Sequence, residues 1–168
     1  LTAPETSLRF KAEGKMDKLQ QEPNALPPVS RKLVELIEKN ASDLTRAYLR
    51  EVKANPNMPT YHSFPDQEVY ERAFVVFSQL GRWISYEMNS EEMKKYWVEL
   101  GKTRRREGFS LPEIFLALCL IRKQLWNKIQ AEGFLDNVLD LYQALELYNR
   151  IVTFFDRALY YAIIGYHS

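Results

Sequence analysis

Cys119 is the only cysteine in 168 residues. That excludes an intrachain disulfide and any zinc site built from several cysteines, and it suits a reducing, cytoplasmic compartment. Histidine is nearly as scarce. His62 sits in a proline-rich loop and His167 next to the end, so neither is an obvious base for nucleophilic catalysis. A metal at His62 would need carboxylates from elsewhere in the fold, and no metal or other cofactor is expected. A globin-type haem needs an axial histidine on a packed helix; neither histidine is so placed, and no haem is expected even if the helices follow a globin-like path. No glycine-rich phosphate loop occurs. An excess of charge of one sign is missing too: 23 basic and 22 acidic residues leave +1, too little to suggest nucleic-acid binding. The longest apolar run, 114–121, stops far short of the ~20 residues of a membrane span, and the amino terminus has no basic head and apolar stretch of a secretory signal. These absences leave little room for an enzyme.

What is present is the composition of a folded domain. The hydrophobic fraction is 46% and the aromatic fraction 13%, against disorder. The length suits one domain, which buries roughly two-thirds of its unfolded surface. The chain begins at Leu1 rather than Met, as a processed, tagged or excised product would. Pro4, Gly14, Pro23, Pro27 and Pro28 set residues 1–28 apart as a tail or arm, with the domain expected over 29–168.

Alternating strand patterns are absent, and the class is all-α. About five helices are expected. The first runs over about 30–55, capped by Ser30 and striped by Leu33, Ile37, Leu44, Tyr48 and Val52; Asn55-Pro56 stops it. After a loop over 55–65, Asp66 caps a second helix to about residue 88. The third runs from Asn89 or Ser90 to Gly108. Ser110-Leu111-Pro112-Glu113 has the form of a capping box with proline in the first turn. The fourth helix that it opens is apolar nearly all round in its first half, as a central helix would be, with Cys119 as a small core residue.

The fifth helix, about 135–165, carries Val138, Leu141, Leu145, Tyr148, Val152, Phe155, Leu159, Ala162 and Tyr166 in alternating steps of three and four, a coiled-coil period. At 1.5 Å per residue it is roughly 46 Å long, longer than the ~40 Å diameter of a compact chain of this size. A second stripe, Ile151, Phe154, Ala158 and Tyr161, lies beside the first. One stripe can face the domain and the other a second subunit, so Leu145, Tyr148, Val152, Phe155, Leu159 and Ala162 are the candidate dimer and signal positions. The alternative is a single wide face in an ordinary bundle.

Two features have open readings. Lys102-Thr103-Arg104-Arg105-Arg106 is either a solvated helix end, favourable for the helix dipole, or an anion or partner patch. The aromatic side chains, with Trp83, Trp97 and Trp126 among them, are either simple core or the lining of a ligand cavity between helices.

Residues 101–113 (Gly-Lys-Thr-Arg-Arg-Arg-Glu-Gly-Phe-Ser-Leu-Pro-Glu), followed by Leu118, Arg122, Leu125 and Trp126, then Glu146-Leu147 and Phe154-Phe155-Asp156-Arg157-Ala158, resemble the amino-terminal domain of RsbRD-type RsbT co-antagonist proteins. The resemblance covers about 30–166. It implies an all-helical cytoplasmic input domain of a bacterial signal-transduction protein, followed by a histidine kinase or STAS output domain, with no catalytic residues of its own. The expected function is therefore sensory or regulatory: a homodimer that passes a ligand or partner signal through its last helix. The alternative is a stand-alone helical bundle that binds a small molecule.

Overall fold

The computed structural model describes residues 26–85, 90–132 and 137–168. The tail or arm read over 1–28 therefore lies, up to residue 25, outside the described residues. Helix makes up 87% of what is described and no strand occurs there, so the class is all-α. The described helices are α1 (Pro28–Lys39), α2 (Ala41–Ala54), α3 (Pro59–Ser63), α4 (Asp66–Ser78), α5 (Leu80–Ile84), α6 (Ser90–Arg106), α7 (Leu111–Ala131) and α8 (Val138–His167).

Two of the five expected helices are broken. The first splits at Asn40, whose side-chain amide donates to Leu36 O at 2.7 Å. Asparagine competes in this way with the backbone ladder. The core stripe nevertheless continues across the break, from Leu33 and Ile37 to Leu44, Tyr48 and Val52. The second splits at Gln79, after which α5 buries Leu80, Trp83 and Ile84. The expected loop over 55–65 contains α3.

The capping box of α7 is present as expected. Ser110 accepts from the Glu113 N–H, and the Glu113 carboxylate accepts from the Ser110 N–H at 2.9 Å. The same carboxylate accepts from the N–H of Thr60 at 2.7 Å and its hydroxyl at 3.0 Å, so one buried glutamate serves the first turns of both α7 and α3. Ser30 is not a cap. It lies inside α1, fully buried, and donates to Gln143 O of α8, while the Gln143 side chain accepts from the Val29 N–H. Asp66 makes no capping bond and occupies the first turn of α4. Leu118, Ile121, Leu125 and Ile129 place α7 in the core. Burial does not extend all round, however: Phe115 is 49% exposed and Cys119 is only half-buried.

The most extensive helix pair is α6 with α8. A Cβ at Gly101 would come within 1.9 Å of Ala162 O, and one at Gly165 within 1.9 Å of Val98 O. The two backbones touch because two glycines face them. Around this crossing the Tyr166 hydroxyl donates to Phe109 O at 2.9 Å, and Arg105 donates to Tyr166 O at 3.0 Å.

The stripe on α8 does not keep one environment. Val138 is 84% exposed, and Leu141 and Leu145 are exposed, whereas Phe155 (3%) and Ala162 (0%) are buried in the domain and Tyr148, Val152 and Leu159 are half-buried. A seven-residue repeat on a straight helix drifts by about 20° per heptad, so over this helix the stripe turns from solvent to core. The buried face is instead that of Ala144, Leu147, Ile151, Phe154 and Ala158. The end that projects into solvent is the first, not the last, because the C-terminal turn is held at the glycine crossing.

Gly101→Ala and Gly165→Ala should each lower stability by about 3 kcal/mol or more, since overpacking here meets rigid backbone. Gly108→Ala, at φ 87° with open space around it, should cost only the ~1–2 kcal/mol of a left-handed conformation. Denaturant midpoints of the three variants would check the ranking.

Candidate functional site

A cavity of about 60 Å³ lies between α2, α3, α4, α6 and α7. Helical spacing explains its walls: Val69, Ala73 and Val76 line it from α4, and Ile114, Ala117, Leu118 and Ile121 from α7. These residues recur at steps of three and four and so share one face. Tyr96, Trp97, Leu100 and Arg104 supply the α6 wall, Tyr48 and Tyr61 come from α2 and α3, and Arg72 from α4.

Phe109 enters from the α6–α7 turn. The Gly108 N–H donates to Arg105 O and the Phe109 N–H to Arg104 O, the two bonds of a Schellman closure, with Gly108 at φ 87°. This turn sends the Phe109 ring inward, against Tyr61 and Phe64 at 4.7 and 4.9 Å.

Arg104, 9% exposed, donates to Glu107 Oε2 at 3.1 Å. Arg72 grips the same carboxylate with two bonds of 2.9 and 2.7 Å and also reaches Glu68 at 3.0 Å. Partial burial pushes the Glu107 carboxyl up, but the bond from Arg72 and the charges of Arg104 and Arg72 outweigh it and hold the group below its ordinary value. Burial pushes all three cavity tyrosines up. At Tyr48 the neighbouring Tyr61, which shares a hydrogen bond with it, adds to the rise, while the Arg104 charge opposes it at each.

Trp97 is 1% exposed and packs against Trp83, Tyr96 and Phe154. Its indole N–H has no hydrogen-bond partner among the described residues. An unmet buried donor costs about 1–3 kcal/mol.

The basic cluster divides. Arg104 turns inward to the cavity, Arg105 holds the end of α8, and Arg106 and Lys102 stay outside on Thr103 and Glu99. The solvated-end reading describes Lys102, Arg105 and Arg106 at the end of α6, but not Arg104, which is buried. The aromatics serve as both core and cavity lining. His62, His167 and Cys119 do not line the cavity, and His62 is exposed with Nε2 at 2.8 Å from Asn55 O. Among the described residues, no group of His, Cys, Asp and Glu could hold a metal ion, and no helix is long and apolar enough to cross a membrane. The candidate dimer positions on α8 lie outside the cavity. Sequence reasoning missed Tyr48, Tyr61, Arg72 and Arg104 as one set. Only Trp97, Leu100 and Arg104 carried a usable signal, since their spacing puts a cation on an apolar helical face.

No family model matches the chain, and neither does any curated protein. Among solved structures it is similar to the globin domain of E. coli DosC in a ferrous form, with a TM-score of 0.67 and 15% identity over 84% of this chain and 90% of that one. The fold is therefore globin-like. The residues do not fit a globin haem: no histidine reaches the cavity, and its volume of about 60 Å³ is far below the roughly 300–1,000 Å³ of sites for larger ligands.

Glu107 contributes most to stability when ionised. Its folded-state value lies below the unfolded one of about 4.3, so this contribution is complete above that pH and is lost as pH falls through the folded value. Glu107→Gln should cost about 1–3 kcal/mol at pH 7 by weakening the acceptor of a buried guanidinium. The gap from wild type should close as the wild-type carboxyl titrates, as read from denaturant midpoints across pH.

Proposed function

We propose that this chain is a non-catalytic sensory or regulatory input domain of a bacterial signal-transduction protein, of the RsbRD type that its motifs resemble. It acts in the cytoplasm as a homodimer and passes a ligand or partner signal through α8 to a histidine kinase or STAS output domain. The observation that carries this reading is that α6, which forms one wall of the cavity, is in backbone contact with α8.

Contacts along much of their length join the two helices, among them Gly165 against Val98. Trp97 lies against both the cavity and Phe154 of α8. Gly101 meets Ala162, and Arg105 meets Tyr166. A ligand that favours one placement of α6 acts on α8 through them, provided that it binds the two packings with different affinity. The cavity alone would equally suit a stand-alone small-molecule-binding bundle. The tight coupling to α8 favours the input domain, as does the likeness to one domain of DosC.

The outer face of α8 supports the homodimer. Val138, Tyr142 and Leu145 are exposed at one end and Tyr160, Ile163 and Ile164 at the other, all on the side away from the core. Exposed apolar patches of this kind mark partner surfaces. Phe155 and Ala162 are internal and take no part.

Light scattering should find a dimer at micromolar concentrations. Leu145→Glu should make it monomeric with little change in unfolding midpoint, because its side chain lies outside the core. A wild type that stays monomeric would remove this face as the dimer contact. A molecule that fills the cavity should also move the backbone amide resonances of Gly165 and Tyr166; a stand-alone carrier would leave them in place.

A further inference from the structure

The register of α7 against α8 follows from contacts at both ends. The Tyr166 hydroxyl, at the end of α8, donates to Phe109 O just ahead of α7, and the Trp126 ring, late in α7, lies 4.5 Å from that of Tyr148. The two helices are therefore antiparallel, with Arg122 level with Val152 and Phe115 level with Leu159. On α7, Phe115, Cys119, Arg122 and Trp126 recur at steps of four and three and so share one side. On α8, Leu145, Tyr148, Val152, Asp156 and Leu159 do the same. The Trp126–Tyr148 contact joins these stripes into one face. Every side chain named on it is exposed or half-buried, Phe115 at 49% and Leu145 at 50%. Each stripe carries a single charge, Arg122 on α7 and Asp156 on α8. Neither has an ion-pair or hydrogen-bond partner for its side chain among the described residues, although nearby charges do: Lys123 reaches Glu51, and Arg150 reaches Glu146. Asp156 stands one turn along α8 from Val152, about 6 Å from the level of Arg122.

We infer that a second copy of the chain docks on this two-helix face, with Arg122 of each subunit pairing with the partner's Asp156. A twofold axis repeats every contact, so the pair forms twice. The face is complementary to itself, since it carries one cation and one anion at nearly the same level. A purely basic or purely acidic partner would set like charge against one of the two, which opposes association. The same docking covers the apolar remainder of both stripes, and exposed apolar patches of this kind mark partner surfaces. The inference rests on the homodimer reading and adds to it the α7 stripe and the charge pair.

The test is light scattering of the full chain and its charge variants over a concentration series. Arg122→Glu and Asp156→Arg should each raise the dimer Kd about tenfold or more, because like charges then meet twice in the interface. The double variant should return to the wild-type Kd. An equimolar mixture of the two single variants should also dimerise like wild type, since each subunit then meets opposite charge on the other. A pair formed within one chain cannot give that result. Arg122→Gln, which leaves the partner's Asp156 without its cation, should weaken the dimer severalfold, and it decides the matter if a charge-reversed variant fails to fold. Variants that dimerise like wild type, or a mixture no tighter than its components, would overturn the pair and leave the α8 homodimer in place. A wild type that stays monomeric would overturn both.

Discussion

The contact between the backbones of α6 and α8 is the constraint on which the rest of the domain depends. Gly101 and Gly165 let the helices approach until the added carbon of any other residue would collide with a carbonyl. That approach sets where the inner face of α6 stands, and so where Trp97, Leu100 and Arg104 project. It also brings the end of α8 under Arg105 and beneath the α6–α7 turn, where the Tyr166 hydroxyl reaches Phe109 O. A close-packed crossing of this sort transmits displacement because interiors yield little.

The charged cluster beside the cavity is best understood as a balance of desolvation against pairing. A buried guanidinium is costly without an acceptor, and Arg104 has Glu107. Glu107 in turn is held by Arg72 from α4, which ties that helix to the α6–α7 turn. Arg72 stands over the Phe64 ring and Arg104 over that of Phe109, at 4.8 and 5.6 Å, so the cations also gain from the aromatic faces. The unpaired indole of Trp97 is the exception in a core whose other described polar side chains are almost all satisfied. A buried donor without an acceptor costs stability, about 1–3 kcal/mol.

Helix α8 divides its residues between two duties. Its inner face closes the core through Leu147, Ile151, Phe154 and Ala158. Its outer face presents apolar side chains at both ends, with Asn149, Thr153 and Asp156 exposed between them. At its start Gln143 receives the first turn of α1, so the helix spans the domain from its first described element to the α6–α7 turn.

Much of the fold was legible in the sequence because its signals are short-range. The all-α class, the Ser110 and Glu113 capping box, the stop at Asn55-Pro56 and the core positions of α7 all depend on neighbours within a turn or two. Other features were not, for reasons that begin beyond that range. Ser30 has the chemistry of a cap, but Gln143, 113 residues away, takes its hydroxyl. The stripe on α8 was visible, yet a 3.5-residue repeat and a 3.6-residue helix fall out of step, and only the packing partners decide which residues turn inward. Arg104 stands in a run of basic residues, and only the α6–α8 crossing directs it inside. The cavity is assembled from five elements spread between Tyr48 and Ile121. The sequence by itself determined the all-α class, the capping box that opens α7 and the stop at Asn55-Pro56; the tertiary structure alone decided where the first two expected helices break and which faces meet, because that depends on contacts between residues far apart along the chain.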